Sequence, residues 1–259
     1  MRVPNALLCL TACALSSVAL ADTPFDGTWM MNTSKSHLAG DTMTFEDAGG
    51  GSLKFTDSDQ SYTFKPDGSS FTTPLGADRT FTKGADGNYT ATSKRNGTLL
   101  STATYKISAD GNTIHVESKG TKPNGDTFDN KYTYVRTAPG TGIVGGWKST
   151  KVELSSPNAL TFQTDSANGV TVSLSAIKAT CQAKWDGKDY PATGPTVGTG
   201  ITLAFTKEGA NGFKFVEKSK DKVLVIVHFR AAADGKTMNA KGTDGEGKEP
   251  FTEVYDKQS

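Results

Sequence analysis

The sequence predicts an all-β protein built as two tandem antiparallel up-and-down β-barrels. Three observations carry that expectation: a phrase that occurs twice, turn signals at short intervals, and strands that alternate in polarity. Residues 109–128 read "ADGNTIHVESKGTKPNGDTF", and residues 233–251 read "ADGKTMNAKGTDGEGKEPF". Laid over each other, the two halves agree at further points in the same order. Gly27-Thr28-Trp29 falls on Gly145-Gly146-Trp147, Thr44-Phe45 on Thr161-Phe162, and "FKPDGSSFTTPLG" from Phe64 on "AKWDGKDYPATGP" from Ala183. "YTYVR" from Tyr132 falls on "FTEVY" from Phe251. Ordered matches at near-constant spacing are the mark of a tandem duplication. With only two units, each must close its own core.

Within each unit, Asp-Gly or Asn-Gly begins at 67, 86, 96, 110 and 124, and again at 168, 186, 211, 234 and 244. Such pairs suit tight hairpin turns with positive φ at both central residues. Between them lie short stretches rich in Thr, Val, Ile, Phe and Tyr. "TIHVES" sets Ile114 and Val116 on one face and His115 and Glu117 on the other, and "SLKFT" and "SYTFK" alternate likewise. Period two with β-branched and aromatic residues describes half-buried strands. No long 3.6-residue apolar period is present. Many short strands joined by tight turns stack as a sandwich or close as a barrel. The Cys…Trp…Cys spacing of immunoglobulin-type sandwiches is absent, and Gly-x-Trp opens each unit, which favours the barrel. The expected division is a first barrel over 22–137, a linker over 138–146 in the Gly-rich "TAPGTGIVG", and a second barrel over 147–259.

Residues 1–21 read as a secretory signal. Arg2 supplies a positive start, Ala6 to Leu20 is mostly apolar, and Ala19-Leu20-Ala21 offers a small-x-small cleavage site before Asp22. The apolar run is short for a membrane span, which needs about 20 continuous apolar residues. Leu10-Thr11-Ala12-Cys13 also has the form of a lipoprotein site, a reading weakened by the short run before it and the apolar residues after it. The expected location is therefore secreted or periplasmic. The whole chain has 28 basic and 27 acidic residues, so loss of Arg2 brings the two to parity. Near-zero charge argues against nucleic acid or anionic lipid as the main partner. Cys9 and Cys13 leave with the signal, so Cys181 has no disulfide partner within the chain.

"GTW" and "GGW" at the head of meandering units resemble the Gly-x-Trp opening of the lipocalin and wider calycin superfamily. "GTWMMNTSKS", "DGKDYP" and the ending "ADGKTM…KGT…G…VYDK" are similar to secreted bacterial lipocalin-like proteins of unassigned function. The resemblance spans nearly all of the chain beyond the signal. It implies lipocalin-like up-and-down barrels with an apolar interior, and a basic residue of the last strand lying across the Trp ring. Arg136 holds that place in the first unit, so it is expected to stack on Trp29. The second unit carries Tyr255 there, with Lys257 two residues on and on the same face.

Catalytic chemistry leaves little trace. His37, His115 and His228 lie far apart in sequence and from Cys181, without metal-ligand spacing. There is no Gly-x-Ser-x-Gly elbow, and "DAGGGS" lacks the Lys-Ser/Thr and helix of a phosphate loop. No cofactor motif is present. "KVLVIVHFR" at 222–230 stands apart, because it is apolar on both faces and so must be covered on both. Strict alternation puts Leu224, Ile226, His228 and Arg230 on one face, as candidate ligand-binding residues. The leading functional expectation is a binding protein for a small apolar or amphipathic molecule. The alternatives are a lipocalin-fold enzyme acting on a lipid or isoprenoid substrate, and a non-binding envelope interaction protein.

Overall fold

A computed structural model describes residues 23–258, apart from 39, 166 and 249. The signal, its cleavage site and Cys13 lie outside the described residues. The chain forms two antiparallel ten-stranded sheets, each curled into a nearly closed barrel, with one 3₁₀ turn among the described residues, at Ser175–Ile177. The all-β, two-barrel expectation holds. The assignment of strands to barrels does not follow the repeat.

The first strand, β1 (Gly27–Met31), leaves its own unit. The first barrel is the meander β2 (Thr42–Gly49), β3 (Ser52–Thr56), β4 (Ser61–Phe64), β5 (Asp67–Thr72), β6 (Asp78–Lys83), β7 (Tyr89–Arg95), β8 (Thr98–Ile107), β9 (Thr113–Thr121), β10 (Thr127–Ala138) and β11 (Gly145–Glu153). It closes where β11 hydrogen-bonds β2. A seam between β4 and β5 is filled by Phe64 stacked on Phe71, ring centroids 4.9 Å apart. The second barrel is β12 (Ala159–Thr164), β13 (Gly169–Leu174), β14 (Ala179–Lys184), β15 (Tyr190–Pro191), β16 (Ile201–Lys207), β17 (Gly212–Ser219), β18 (Lys222–Ala231), β19 (Thr237–Asp244) and β20 (Phe251–Lys257). Here β1 sits between β20 and β12. Thr180 and Thr193 bridge the seam by exchanging backbone N–H···O bonds of 2.9 Å.

The expected boundaries are therefore displaced. Residues 138–146 are the turn of the β10–β11 hairpin inside one sheet, not a linker between barrels. The chain passes between barrels at 32–41 and 154–158. Glycine and proline mark a change of chain direction and do not distinguish a hairpin from a linker. Asp26 ties the exchanged β1 to its host barrel. Its Oδ1 accepts from the Thr164 N–H at 2.6 Å, and its Oδ2 accepts from Thr164 Oγ1 at 2.7 Å.

The exchange also re-pairs the Trp rings. Arg136 lies directly across the ladder from Trp147, its guanidinium 4.1 Å from the ring, and not on Trp29. Lys257 lies opposite Trp29, with Nζ 5.3 Å from that ring. The two sites match atom for atom elsewhere: Trp29 Nε1 donates to Phe25 O at 2.7 Å, and Trp147 Nε1 donates to Ile143 O at 2.9 Å. The glycine of each Gly-x-Trp is needed twice over. Gly27 and Gly145 hold φ of +117° and +130°, and a Cβ at either would strike the cation, Lys257 Cε or Arg136 Nη1. Around the rings, Phe25, Trp185 and Phe213 plug one end of the second barrel, and Phe45, Phe81 and Ile143 do the same in the first.

Hairpin turns depart from the expected type. Of the Asp-Gly and Asn-Gly pairs, only Asn96-Gly97 has positive φ at both residues; the β2–β3 turn reaches the same geometry with Gly50-Gly51. At Asp67, Asp86, Asp110, Asp186 and Asp234 only the glycine is left-handed, and the aspartate accepts the backbone N–H two residues on. Hydrogen bonds from these turns hold the five carboxyls below the usual carboxylate range.

Expressed alone, residues 42–153 should give a folded β protein with a cooperative melt. Residues 155–258 alone should aggregate or melt without cooperativity, since Trp29 and the strand between β12 and β20 are missing. Adding a peptide of residues 23–31 should restore folding. Circular dichroism melts of the fragments check this; a stable second fragment without the peptide contradicts the exchange.

Candidate functional site

Each barrel is solid at its Trp end and hollow at the other. The second-barrel cavity has a volume of about 490 Å³, within the range of small-molecule sites. Its wall is apolar: Phe162, Val172, Leu203, Phe215, Val227 and Phe229 all face it. Three residues of the first barrel, Asp59, Leu75 and Arg95, reach across to its mouth. Arg95 is fixed there by carbonyls, donating from Nη1 to Thr196 O at 2.9 Å and from Nη2 to Leu75 O at 3.0 Å. Lys222 Nζ holds the turn before β4, donating to Ser58 O and Asp59 O at 2.8 and 2.6 Å.

Polar groups inside this apolar wall are few. Glu217 and Glu253 line the cavity, and burial raises the pKa of both. The charge of Asp59 adds to the effect on Glu217. Tyr255 donates its hydroxyl to Glu253 Oε2 at 2.6 Å, and burial lifts its own pKa as well. Cys181 also borders the cavity. Burial pushes its thiol up to about 11, so it stays protonated and a poor nucleophile at neutral pH.

Of the residues anticipated on β18, only Leu224 lines the cavity. Val223 pairs with Lys218 and Val225 with Glu217, leaving Leu224 as the extra residue of a bulge. Beyond it the phase is reversed, so Val227, Phe229 and Ala231 are buried while His228 and Arg230 are exposed. His228 Nδ1 meets Glu208 Oε2 at 2.9 Å, and Arg230 Nη1 donates to Asn211 Oδ1 at 3.2 Å. Ile226, half-buried, lies in phase with this outer pair and does not border the cavity. These three do not form a ligand-facing set. Trp29, Arg136 and Trp147 belong to the plugs. Among the described residues, no group of three or more His, Cys, Asp and Glu side chains is arranged to hold a metal ion.

The inward acids escaped the sequence reading, although a signal existed. In "FKFVE", Glu217 is in phase with Phe213 and Phe215; in "FTEVY", Glu253 is in phase with Phe251 and Tyr255. A charged residue in step with buried aromatics marks a charge directed into a core. The first barrel repeats the pattern with Arg79, in step with Phe81. Its cavity, about 320 Å³, is polar and carries Arg79, Tyr105, Tyr132 and Tyr134 with several serines. Comparison with family models, curated proteins and solved structures finds no match.

Because the native state raises the pKa of Glu217, it binds the proton more tightly than the unfolded chain does. The stabilisation this gives is complete below the unfolded carboxylate value of about 4.3 and is lost as pH rises through the folded value. Glu217→Gln should therefore raise Tm at pH 7 by about 2–4 °C. The gain should vanish near pH 4. Thermal melts across that interval check the sign; an equal gain at both pH values would contradict it.

Proposed function

We propose that the protein is a lipocalin-like carrier acting outside the cytoplasm, binding a small amphipathic molecule in the second barrel. The observation that carries this reading is the apolar cavity of about 490 Å³ in a barrel whose opposite end is plugged by aromatic rings. Burying an apolar ligand there gains about 25 cal/mol for each Å² removed from water, and the preformed wall keeps the ordering cost low. Glu217, Glu253 and Tyr255 give the ligand a polar end to meet. The Gly-x-Trp rings, each covered by a cation from a last strand, support the lipocalin resemblance.

One observation favours a second reading, an enzyme for a lipid or isoprenoid substrate. Carboxyls with raised pKa stand inside an apolar cavity, where a protonated acid is a competent proton donor. The two readings separate on Glu253→Gln. A carrier keeps its affinity for a neutral probe within about twofold; an enzyme loses turnover of an alkene substrate.

The carrier reading is tested by titration with the neutral apolar fluorophore N-phenyl-1-naphthylamine. Wild type should bind with a Kd of about 1–10 μM. Ala192→Phe, which fills the rim beside β15, should weaken binding about tenfold or more without changing the near-UV circular dichroism. Equal affinity in the two proteins would remove the second barrel as the site.

A further inference from the structure

We infer that the first barrel holds a second, chemically distinct site, for a small hydroxylated monocarboxylate. Its cavity of about 320 Å³ is lined by side chains that alternate inward from β6 to β10. Arg79 stands opposite Ser93, and Ser93 opposite Ser101, so a guanidinium and two hydroxyls form one cross-strand row. Tyr105 and Tyr132 lie further in, either side of Val116.

The unfilled N–H donors of Arg79, the one basic residue lining this cavity, are what call for a ligand. Arg79 has a single hydrogen bond among the described residues, donated from Nη1 to Tyr62 Oη at 2.9 Å. No described carboxylate lies within ion-pair distance of it. A guanidinium withdrawn from bulk water stays charged and leaves its remaining N–H donors seeking an oxyanion. The Tyr105 and Tyr134 hydroxyls likewise have no hydrogen-bond partner among the described residues, and both face the cavity. A carboxylate taking two N–H donors from Arg79 and one O–H from Tyr105 would satisfy three of these donors at once.

The acceptors in the cavity define the rest of the ligand. Asp41, Asp57 and Asp59 also line it, so a polyanion is disfavoured. Asp57 Oδ1 accepts the backbone N–H groups of Asp59 and Gln60 at 2.9 and 2.8 Å, which fixes the turn carrying Gln60. Gln60 Oε1 is buried with no hydrogen-bond partner. A ligand with hydroxyl donors opposite its carboxylate satisfies that oxygen, and its carbon skeleton lies against Phe55 and the tyrosine rings. This chemistry differs from that of the second barrel, whose wall is mainly apolar with Glu217 and Glu253 set into it.

Isothermal titration of the full chain with gluconate, and with sorbitol as its neutral counterpart, tests the site. Gluconate should bind at least about tenfold tighter than sorbitol. Arg79→Gln should weaken gluconate by about ten- to a hundredfold, the worth of hydrogen bonds to a charged group. Arg79→Lys should fall between the two, and Tyr105→Phe should lose several-fold while keeping the fold. N-phenyl-1-naphthylamine affinity should be unchanged in all three variants, which separates this site from the second-barrel reading and reports folding. Equal binding of gluconate and sorbitol, indifference to Arg79→Gln, or no gluconate binding by wild type would each overturn the proposal.

Discussion

Each barrel is organised around a buried indole whose cation and ring come from different repeats. Trp29 and Trp147 are 0% and 1% exposed, so each ring N–H must find an acceptor, and each finds the carbonyl four residues earlier. That bond folds the preceding segment over the barrel end and carries Phe25 or Ile143 into the core. The outer face of each ring is covered by Lys257 or Arg136, a contact worth about 0.5–2 kcal/mol depending on how dry it is. Arg136 is held further by three carbonyls, Gly142 and Val144 of the β10–β11 turn and Gly111 of the β8–β9 turn. Since β1 completes the second barrel and β11 the first, the strand exchange and the barrel plugs are one structural device.

Closing one end this firmly lets the other end stay hollow. The aromatic plugs supply the core burial that a barrel of this size needs, and the opposite halves are free to differ. In the second barrel the cavity wall is mainly aliphatic and aromatic, with two glutamates set into it; in the first it is rich in Ser, Tyr and Asp, with Arg79 as its one basic residue. The mouths are not independent. Asp59 borders both cavities, and Leu75 and Arg95 of the first barrel border the second. The rim of the second-barrel cavity is thus built in part by residues that the first barrel positions.

The duplication, the all-β class and the strands were legible because they rest on local chemistry: period-two alternation, turn residues, and a phrase repeated in order. The exchange was not legible. Gly27-Thr28-Trp29 and Gly145-Gly146-Trp147 offer the same glycine, ring and strand, so either fits either barrel, and only the path of the chain between barrels decides. The candidate face on β18 failed for a different reason. One bulged residue, Leu224, reverses the phase of every residue after it, and an unbroken apolar run gives no sign of where the extra residue falls. Inward charges were partly legible, since Arg79, Glu217 and Glu253 each keep step with aromatic neighbours. Whether such a charge meets a partner or a cavity depends on strands distant in sequence.

The central claim is that an apolar molecule occupies the interior of the second barrel. The most direct measurement is methyl NMR of the full chain with labelled Leu and Val, titrated with dodecanol. The expected result is saturable shifts at Leu160, Val172, Leu203 and Val227, which line that cavity, with Leu53 and Val116 of the first barrel unmoved. Shifts confined to the outward Val135 and Leu99, or none at saturating dodecanol, would contradict it.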